Sequence, residues 1–255
     1  LLALNAAAGR AYYVLPPEAA DDREAAAEAL GGDEVIVDVQ THFVSDRREA
    51  ADTWAPAIHA MYDAVRPGWW KGIDPIVAYD MAEYLRCVFV ESDTAVAVLT
   101  SGPGLGPDRM LFNREMAATR ELLDRLGANG RLLNHCVVHA DVPGEIDGME
   151  HERDARRPVG WKVYTMGETS AAGMSGHRGW YLDDEHTGVP FLERARDLDV
   201  RLVCAHKGIS QMVPTGSPRD VGPAARAFPE LDFVIYHSGY EFPTSDAPEE
   251  DAYDE

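Results

Sequence analysis

Residues 200–208 read VRLVCAHKG, and this stretch decides the predicted fold. Its first six residues are mostly apolar, and His206, Lys207 and Gly208 follow directly. A short, nearly continuous apolar run is typical of a strand that is buried on both faces of a parallel sheet. The polar residues that follow such a strand lie at its carboxyl end, where α/β enzymes assemble their active sites. The stretch therefore predicts a buried parallel strand that ends at a functional site.

Five other segments have the same character: EVIVDV (34–39), TAVAVLT (94–100), RLLNHCVVH (131–139), GWKVYT (160–165) and LDFVIYH (231–237). Amphipathic helix patterns separate them, at 75–91, 108–127, 145–156, 190–199 and about 220–228, with Asp108 as the predicted N-cap of the second. Strands that alternate with helices predict βαβ units and a parallel sheet. A closed (β/α)8 barrel needs eight strands. The segments allow either an open six-stranded α/β sheet or a TIM-barrel-like (β/α)8 fold whose strands seven and eight are absent from this chain, and we predict the second.

The chain divides into two predicted parts. Residues 1–33 form a leader, with a short acidic and alanine-rich helix over 18–30, and residues 34–255 form the barrel domain. The first eight residues are apolar and small, as at the end of a signal-peptide apolar region. They indicate either a truncated export signal or a disordered chain end.

Composition narrows the classes of partner. The 255 residues include 44 Asp and Glu against 23 Lys and Arg, for a net charge of -21. Nucleic acids and anionic membranes require basic patches, so we expect neither partner, and no apolar run reaches the length of about 18 residues that spans a bilayer. Cys136 and Cys204 lie in strand-like runs and are predicted to be small buried residues. We expect a small-molecule substrate, and the sequence leaves a homo-oligomer open.

Histidines recur at the predicted carboxyl ends of the strands. His42 follows the first strand, His139 the third, His206 the fifth and His237 the sixth. Neutral imidazoles hold divalent cations, which lower the pKa of bound water to about 7 and polarise carbonyl groups. A further histidine can then transfer protons. The repeated position therefore predicts a metal or acid–base site at this end of the sheet.

Gln40 and His42 are two residues apart, so both side chains point to the same face of a regular strand. The carbonyl oxygen of glutamine is a hard, neutral and weak ligand. Gln40 therefore either coordinates a metal directly or holds a water molecule or substrate beside it, and we favour the second role.

Lys162 has several predicted roles. It can be a carboxylated bridging ligand, an anchor for a substrate anion or a lysine that forms a Schiff base, and the alternative is a lysine paired with a carboxylate. Tyr164 shares its face and can donate a hydrogen bond. Gln40 is also a predicted substrate-binding residue. Two further predicted substrate contacts, Trp161 and Lys207, lie beside these strand ends. Trp70 joins them from a long connection after strand one, where it forms either a pocket wall or a buried lid.

The ordered motifs DVQTHF, GWKVYT, VCAHKG and FVIYHSGY resemble the amidohydrolase-2 branch of the amidohydrolase superfamily. Its pattern is D-x-H-x-H on strand one, G-x-K on strand four and H-x-G after strands five and six. The resemblance runs from about Asp38 to Gly239. It extends to a subgroup whose strand one reads DVQTHHV and whose members carry twin-arginine export signals. This implies a periplasmic or extracellular location, with a cytoplasmic location as the alternative.

The resemblance implies a distorted (β/α)8 barrel with one divalent metal, zinc first and manganese or magnesium as alternatives. His42 and His206 would be metal ligands, Gln40 would occupy the second ligand position of strand one, and His237 would be the catalytic acid/base. The family also has a strand-eight aspartate, for which the chain has no candidate. The implied activity is that of an amidohydrolase-type enzyme, a metal-dependent hydrolase of a small amide, lactone or ester. Alternatives are a nonoxidative decarboxylase of a small aromatic or unsaturated acid, or a non-catalytic binding protein derived from the fold.

Overall fold

The computed structural model describes residues 35–62, 72–167, 178–208 and 213–240, with five isolated positions before residue 35. The predicted leader helix and Trp70 lie outside these continuous ranges. Six strands occur in the described ranges: β1 (Ile36–Thr41), β2 (Thr94–Leu99), β3 (Leu132–Val138), β4 (Gly160–Tyr164), β5 (Leu202–His206) and β6 (Asp232–Tyr236). All six predicted strands are thus confirmed, each within two residues of its expected bounds.

The strands form one parallel sheet in the order β1-β2-β3-β4-β5-β6. The predicted (β/α)8 TIM barrel is wrong, because the described residues form an open half-barrel of α/β type, in which β1 pairs only with β2 and β6 only with β5. The sheet is curled, since the Tyr236 hydroxyl on β6 donates a hydrogen bond of 2.8 Å to the Val39 carbonyl on β1. The open edge leaves apolar residues of β1 in solvent, and Val37 is 51 % exposed.

Helices follow most strands: α1 (Arg48–Tyr62), α2 (Pro75–Ala78), α3 (Met81–Leu85), α4 (Asn113–Arg125), α5 (Glu145–Arg156), α6 (Gly188–Asp197) and α7 (Val221–Ala227). A π-helical turn spans Arg86–Val90, and 3-10 turns span Gly106–Asp108, Pro214–Gly216, Pro218–Asp220 and His237–Gly239. The helix predicted over 145–156 is confirmed at both ends, as α5. No helix in the described ranges is long and apolar enough to cross a membrane.

Two helix predictions need correction. The predicted helix over 75–91 is interrupted at Asp80, whose side chain accepts a hydrogen bond from the Glu83 N–H and so begins a new helix. Asp108 is not the N-cap of α4, since it lies in a 3-10 turn. The helix begins five residues later, where the Glu115 carboxylate accepts a hydrogen bond of 2.7 Å from the Phe112 N–H.

Alternation along the strands divides the side chains between two faces of the sheet. On β4, Trp161 and Val163 pack beneath the helices in one apolar core, together with Met149 of α5 and Phe191 of α6. A second core lies between β2, β3 and α4. The opposite face of β4 carries Lys162 with Tyr164, and the Lys162 Nζ lies 4.6 Å from the tyrosine ring centroid. The packing of the helices therefore fixes which side chains reach the inner face.

Candidate functional site

A cavity of about 680 Å³ lies at the carboxyl ends of β1, β4, β5 and β6. Five predicted site residues line it: Gln40, His42, Tyr164, His206 and His237. They come from four strands that are far apart in the sequence. The expectation that strand-end polar residues share one edge of the sheet is therefore confirmed for these five.

His42 is held in one tautomer. Its Nδ1 lies 2.9 Å from the Thr100 carbonyl oxygen, which only accepts, so Nδ1 carries the hydrogen and donates. The Nε2 lone pair therefore stays unprotonated, and the Gln40 amide nitrogen lies 3.3 Å from it. Burial lowers the pKa of His42 to about 4, so the ring is neutral at pH 7. The predicted shared face of Gln40 and His42 is confirmed by their contact.

His206 and His237 form a pair. The His237 Nε2 lies 3.0 Å from the His206 Nδ1, so one ring donates to the other. Their ring centroids are 4.3 Å apart. Burial lowers the pKa of both histidines, and the charge of Lys162 lowers them further. With His42, the cavity thus holds three neutral imidazoles at pH 7.

The backbone that presents His237 is unusual. His237, Ser238 and Gly239 have φ values of 56°, 55° and 58°, a left-handed run in which only the third residue is glycine. Each non-glycine residue in this region costs on the order of 1 kcal/mol or more, and such strain clusters at functional sites. Gly208 also has a positive φ, and a Cβ there would lie 2.9 Å from the Tyr240 nitrogen. The glycines two residues after His206 and His237 thus both have left-handed backbone conformations.

The two predicted catalytic residues of β4 differ in their contacts. The Tyr164 hydroxyl donates a hydrogen bond of 2.7 Å to the Ser101 carbonyl, so its proton is already engaged. Lys162 is fully buried, and no described residue hydrogen-bonds its Nζ, which lies 3.7 Å from the Tyr236 ring centroid. Burial lowers the pKa of Lys162 well below its ordinary value. A lysine paired with a carboxylate is therefore not what the described residues form.

Trp161 and Lys207 do not line the cavity. Trp161 packs in the core beneath the helices. The Lys207 Nζ lies 2.6 Å from Asp220 Oδ2 and 3.0 Å from the Thr215 carbonyl oxygen, and it is fully buried. The structure thus places Lys207 in a buried ion pair, away from the predicted substrate contacts. The predicted role of Trp70 falls on a residue outside the described ranges.

Sequence reasoning missed α1, which supplies much of the cavity wall. Its residues Trp54, Ile58, Met61 and Tyr62 line the cavity. The signal was the helical spacing of the apolar residues between Ala50 and Ile58. Pro56 argues against a helix in the sequence, but in the structure it lies inside α1. The Trp54 Nε1 donates a hydrogen bond of 2.6 Å to the Asp108 carbonyl, which fixes the indole in the wall.

The cavity holds part of the donor set that a divalent cation needs. His42 has an unprotonated Nε2, with the Gln40 amide nitrogen 3.3 Å away, and an Nδ1 hydrogen held by a carbonyl, which is the tautomer that metal-binding imidazoles adopt. His206 is neutral, and Gln40 adds an amide oxygen. Each of these donors is of a type that divalent metals bind. Among the described residues, however, no three His, Cys, Asp or Glu side chains are grouped to hold one, so the set is smaller than the three strong ligands of a catalytic zinc site.

No protein-family model matches the chain, and no curated protein sequence matches it. A similar solved structure is that of a Xaa-Pro dipeptidase with methionine bound in its active site, at 13% sequence identity and a TM-score of 0.40. The match covers 82% of this chain and 66% of that one, so the chain spans just under two thirds of the dipeptidase. This distant structural neighbour is a peptidase.

Proposed function

We propose that the protein is a metal-dependent hydrolase of an amide, lactone or ester, related to the amidohydrolase-2 family that its motifs resemble. One observation carries the proposal: Gln40, His42, His206 and His237 line a single cavity at the carboxyl edge of the sheet. All three imidazoles are neutral at pH 7, the state in which they can bind a cation or accept a proton.

His42 and His206 would hold the cation, and the Gln40 carbonyl oxygen would be a weak third donor or position a water molecule. When bound, the cation supplies Lewis-acid polarisation of the substrate carbonyl and lowers the pKa of water. Thr100 keeps the His42 lone pair available by accepting the hydrogen of the other ring nitrogen. This partner raises the basicity of the ring and sets its orientation.

His237 would move the proton. If His206 keeps its hydrogen on Nδ1, it donates to the His237 Nε2, and the His237 Nδ1–H faces the leaving group. As Nδ1 gives this proton to the leaving group, the attacking water returns one to His237, so the ring ends neutral and the water's proton ends on the leaving group. The left-handed turn at His237 and Ser238 holds the ring against His206. The apolar wall around the polar edge limits water, which strengthens each hydrogen bond formed to a reacting oxygen.

A second candidate is the nonoxidative decarboxylase. It is favoured by one observation: none of the described residues that line the cavity is acidic, so a carboxylate substrate would meet no like charge there. His237 would then deliver a proton to carbon in place of a leaving oxygen or nitrogen.

The test uses the full chain supplemented with Zn²⁺ or Mn²⁺. Metal content and the hydrolysis of ester, lactone and amide panels are measured beside CO2 release from a panel of aromatic and unsaturated acids. We expect His206→Ala to lose metal and His237→Ala to keep metal and lose turnover. His186→Ala, an exposed histidine outside the cavity, should match the unmodified chain.

CO2 release without hydrolysis would favour the decarboxylase. Metal below about a tenth of an equivalent after supplementation, with no turnover of either panel, would refute both enzyme functions. Retained activity in both His206→Ala and His237→Ala would show that the site is misassigned.

A further inference from the structure

The cavity has two unlike ends. The polar end consists of Gln40, His42, His206 and His237, and it carries the proposed chemistry. The other end, which we name the α1 wall, consists of Trp54, Ile58 and Met61 of α1 with Tyr79, Gly102 and Met110. The proposed hydrolysis uses this wall only to limit water at the polar end.

The cavity is larger than a small ester or lactone requires. Pockets of about 300–1,000 Å³ hold drug-sized ligands, and the volume of about 680 Å³ lies in the middle of this range. At about 30 Å³ for a water-sized group, it accommodates on the order of twenty heavy atoms. A small lactone fills less than half of this space, so the α1 wall would remain exposed to water.

The composition of the wall suits a flexible apolar ligand. Met61 is 66 % exposed and Tyr62 is 47 % exposed at the end of α1, so large apolar side chains face solvent there. Met110 and Met166 also line the cavity. Methionine side chains adapt to ligands of variable shape, and exposed apolar surface of this kind is typical of ligand-binding grooves.

We propose that the α1 wall is a binding subsite for an unbranched alkyl chain of about six to ten carbons that the substrate carries beside its scissile bond. This inference deepens the proposed hydrolase function and rests on it for the reaction. The binding of the chain can be measured without the reaction.

Gly102 determines how much room the subsite has. A Cβ at this position would lie 2.9 Å from the Met110 Cε and 3.4 Å from the Trp54 ring. The methionine is the flexible partner, so a larger residue at position 102 would displace Met110 into the cavity and shorten the wall. Gly102 has no positive φ, so an alanine there adds volume without backbone strain.

Binding of saturated carboxylic acids of four to ten carbons is measured by calorimetry on the full chain. We expect each added methylene to raise affinity about fourfold until the wall is filled. Gly102→Ala should weaken the eight-carbon acid about tenfold and change the four-carbon acid less than about twofold. Gly222→Ala is the matched control, because a Cβ there meets only the flexible end of Arg226, at 3.5 Å on α7, and should change neither acid.

Affinity that does not depend on chain length would overturn the subsite, as would equal losses in Gly102→Ala and Gly222→Ala. Tighter binding of aryl acids than of alkyl acids with the same carbon number would overturn the alkyl assignment. Chain-length-dependent binding without hydrolysis of the matching esters would support the subsite and refute the hydrolase. Hydrolysis of acetyl and octanoyl esters with equal kcat/KM would support the hydrolase and refute the subsite.

Discussion

The ion pair between Lys207 and Asp220 should contribute strongly to the free energy of unfolding. The Lys207 Nζ lies 2.6 Å from Asp220 Oδ2, and the two side chains are 0% and 1% exposed. The same carboxylate oxygen accepts a hydrogen bond of 2.6 Å from the Leu182 N–H. Lys207→Met leaves this carboxylate buried without its cation, and breaking a buried pair in this way costs about 3–5 kcal/mol of unfolding free energy.

Asp220→Asn tests the pair from the other side. Asparagine can still accept from Leu182, so the expected loss of about 3 kcal/mol comes from the ammonium of Lys207, which stays buried without a counter-charge. The double variant removes both charges. We expect it to lose only about 1–2 kcal/mol, because neither side chain then carries an uncompensated charge.

Urea unfolding at pH 7, followed by circular dichroism with equal m-values across the four proteins, measures the cycle. The losses expected for the single and double variants give a coupling free energy of about 4–7 kcal/mol. Single-variant losses below about 1 kcal/mol, or losses that simply add in the double variant, would show that the pair is solvated and that the burial argument is wrong. A weaker substrate affinity in Lys207→Met, at an unchanged free energy of unfolding, would instead support the prediction that Lys207 contacts the substrate.

Three further predictions concern the inner face of the sheet. Lys162→Met should raise the free energy of unfolding by about 1–3 kcal/mol, because it removes a buried amine that no described residue hydrogen-bonds. No gain in urea unfolding would contradict this. Tyr164→Phe should cost about 1 kcal/mol by removing its bond to the Ser101 carbonyl and change kcat less than about threefold, whereas a large fall in kcat would make Tyr164 catalytic. Burial lowers the pKa of His135 from 6.5 to about 3, so the unfolded chain binds the proton first and stability falls as pH drops from 6.5 towards 3. Urea unfolding at pH 7, 5 and 4 should therefore show that the free energy of unfolding falls less steeply with pH in His135→Leu than in the unmodified chain, by up to about 1.4 kcal/mol per pH unit. Identical slopes in the two proteins would refute the lowered pKa of His135.

The strands were predictable because their signal is local. Each is a short apolar run such as residues 202–205, the composition that strands inside a parallel sheet need for burial on both faces. Helix ends were less predictable. Asp108 is a good N-cap residue by type, yet α4 begins at Asn113 because Glu115 reaches back to the Phe112 N–H. Whether the sheet closes also could not be predicted from local sequence, since closure depends on which strand edges meet in space.

The site was predictable where it follows from strand position and alternation. Gln40 and His42 come together because they are two residues apart, and His206 because it ends its strand. The same alternation explains why Lys207 lies elsewhere, since it follows His206 directly and points to the opposite face. The Lys207 contact with Asp220 joins residues 13 apart through a loop, and no spacing rule predicts it.

The hydrogen bond from Tyr236 to the Val39 carbonyl joins positions 197 residues apart. Contacts of such long range form late, because the chain between them must first be ordered. Val39 directly precedes Gln40, and Tyr236 directly precedes His237, so this one contact brings the first and the last strand-end residues of the cavity together. We therefore expect binding competence to appear in a single late folding step, after most of the secondary structure has already formed.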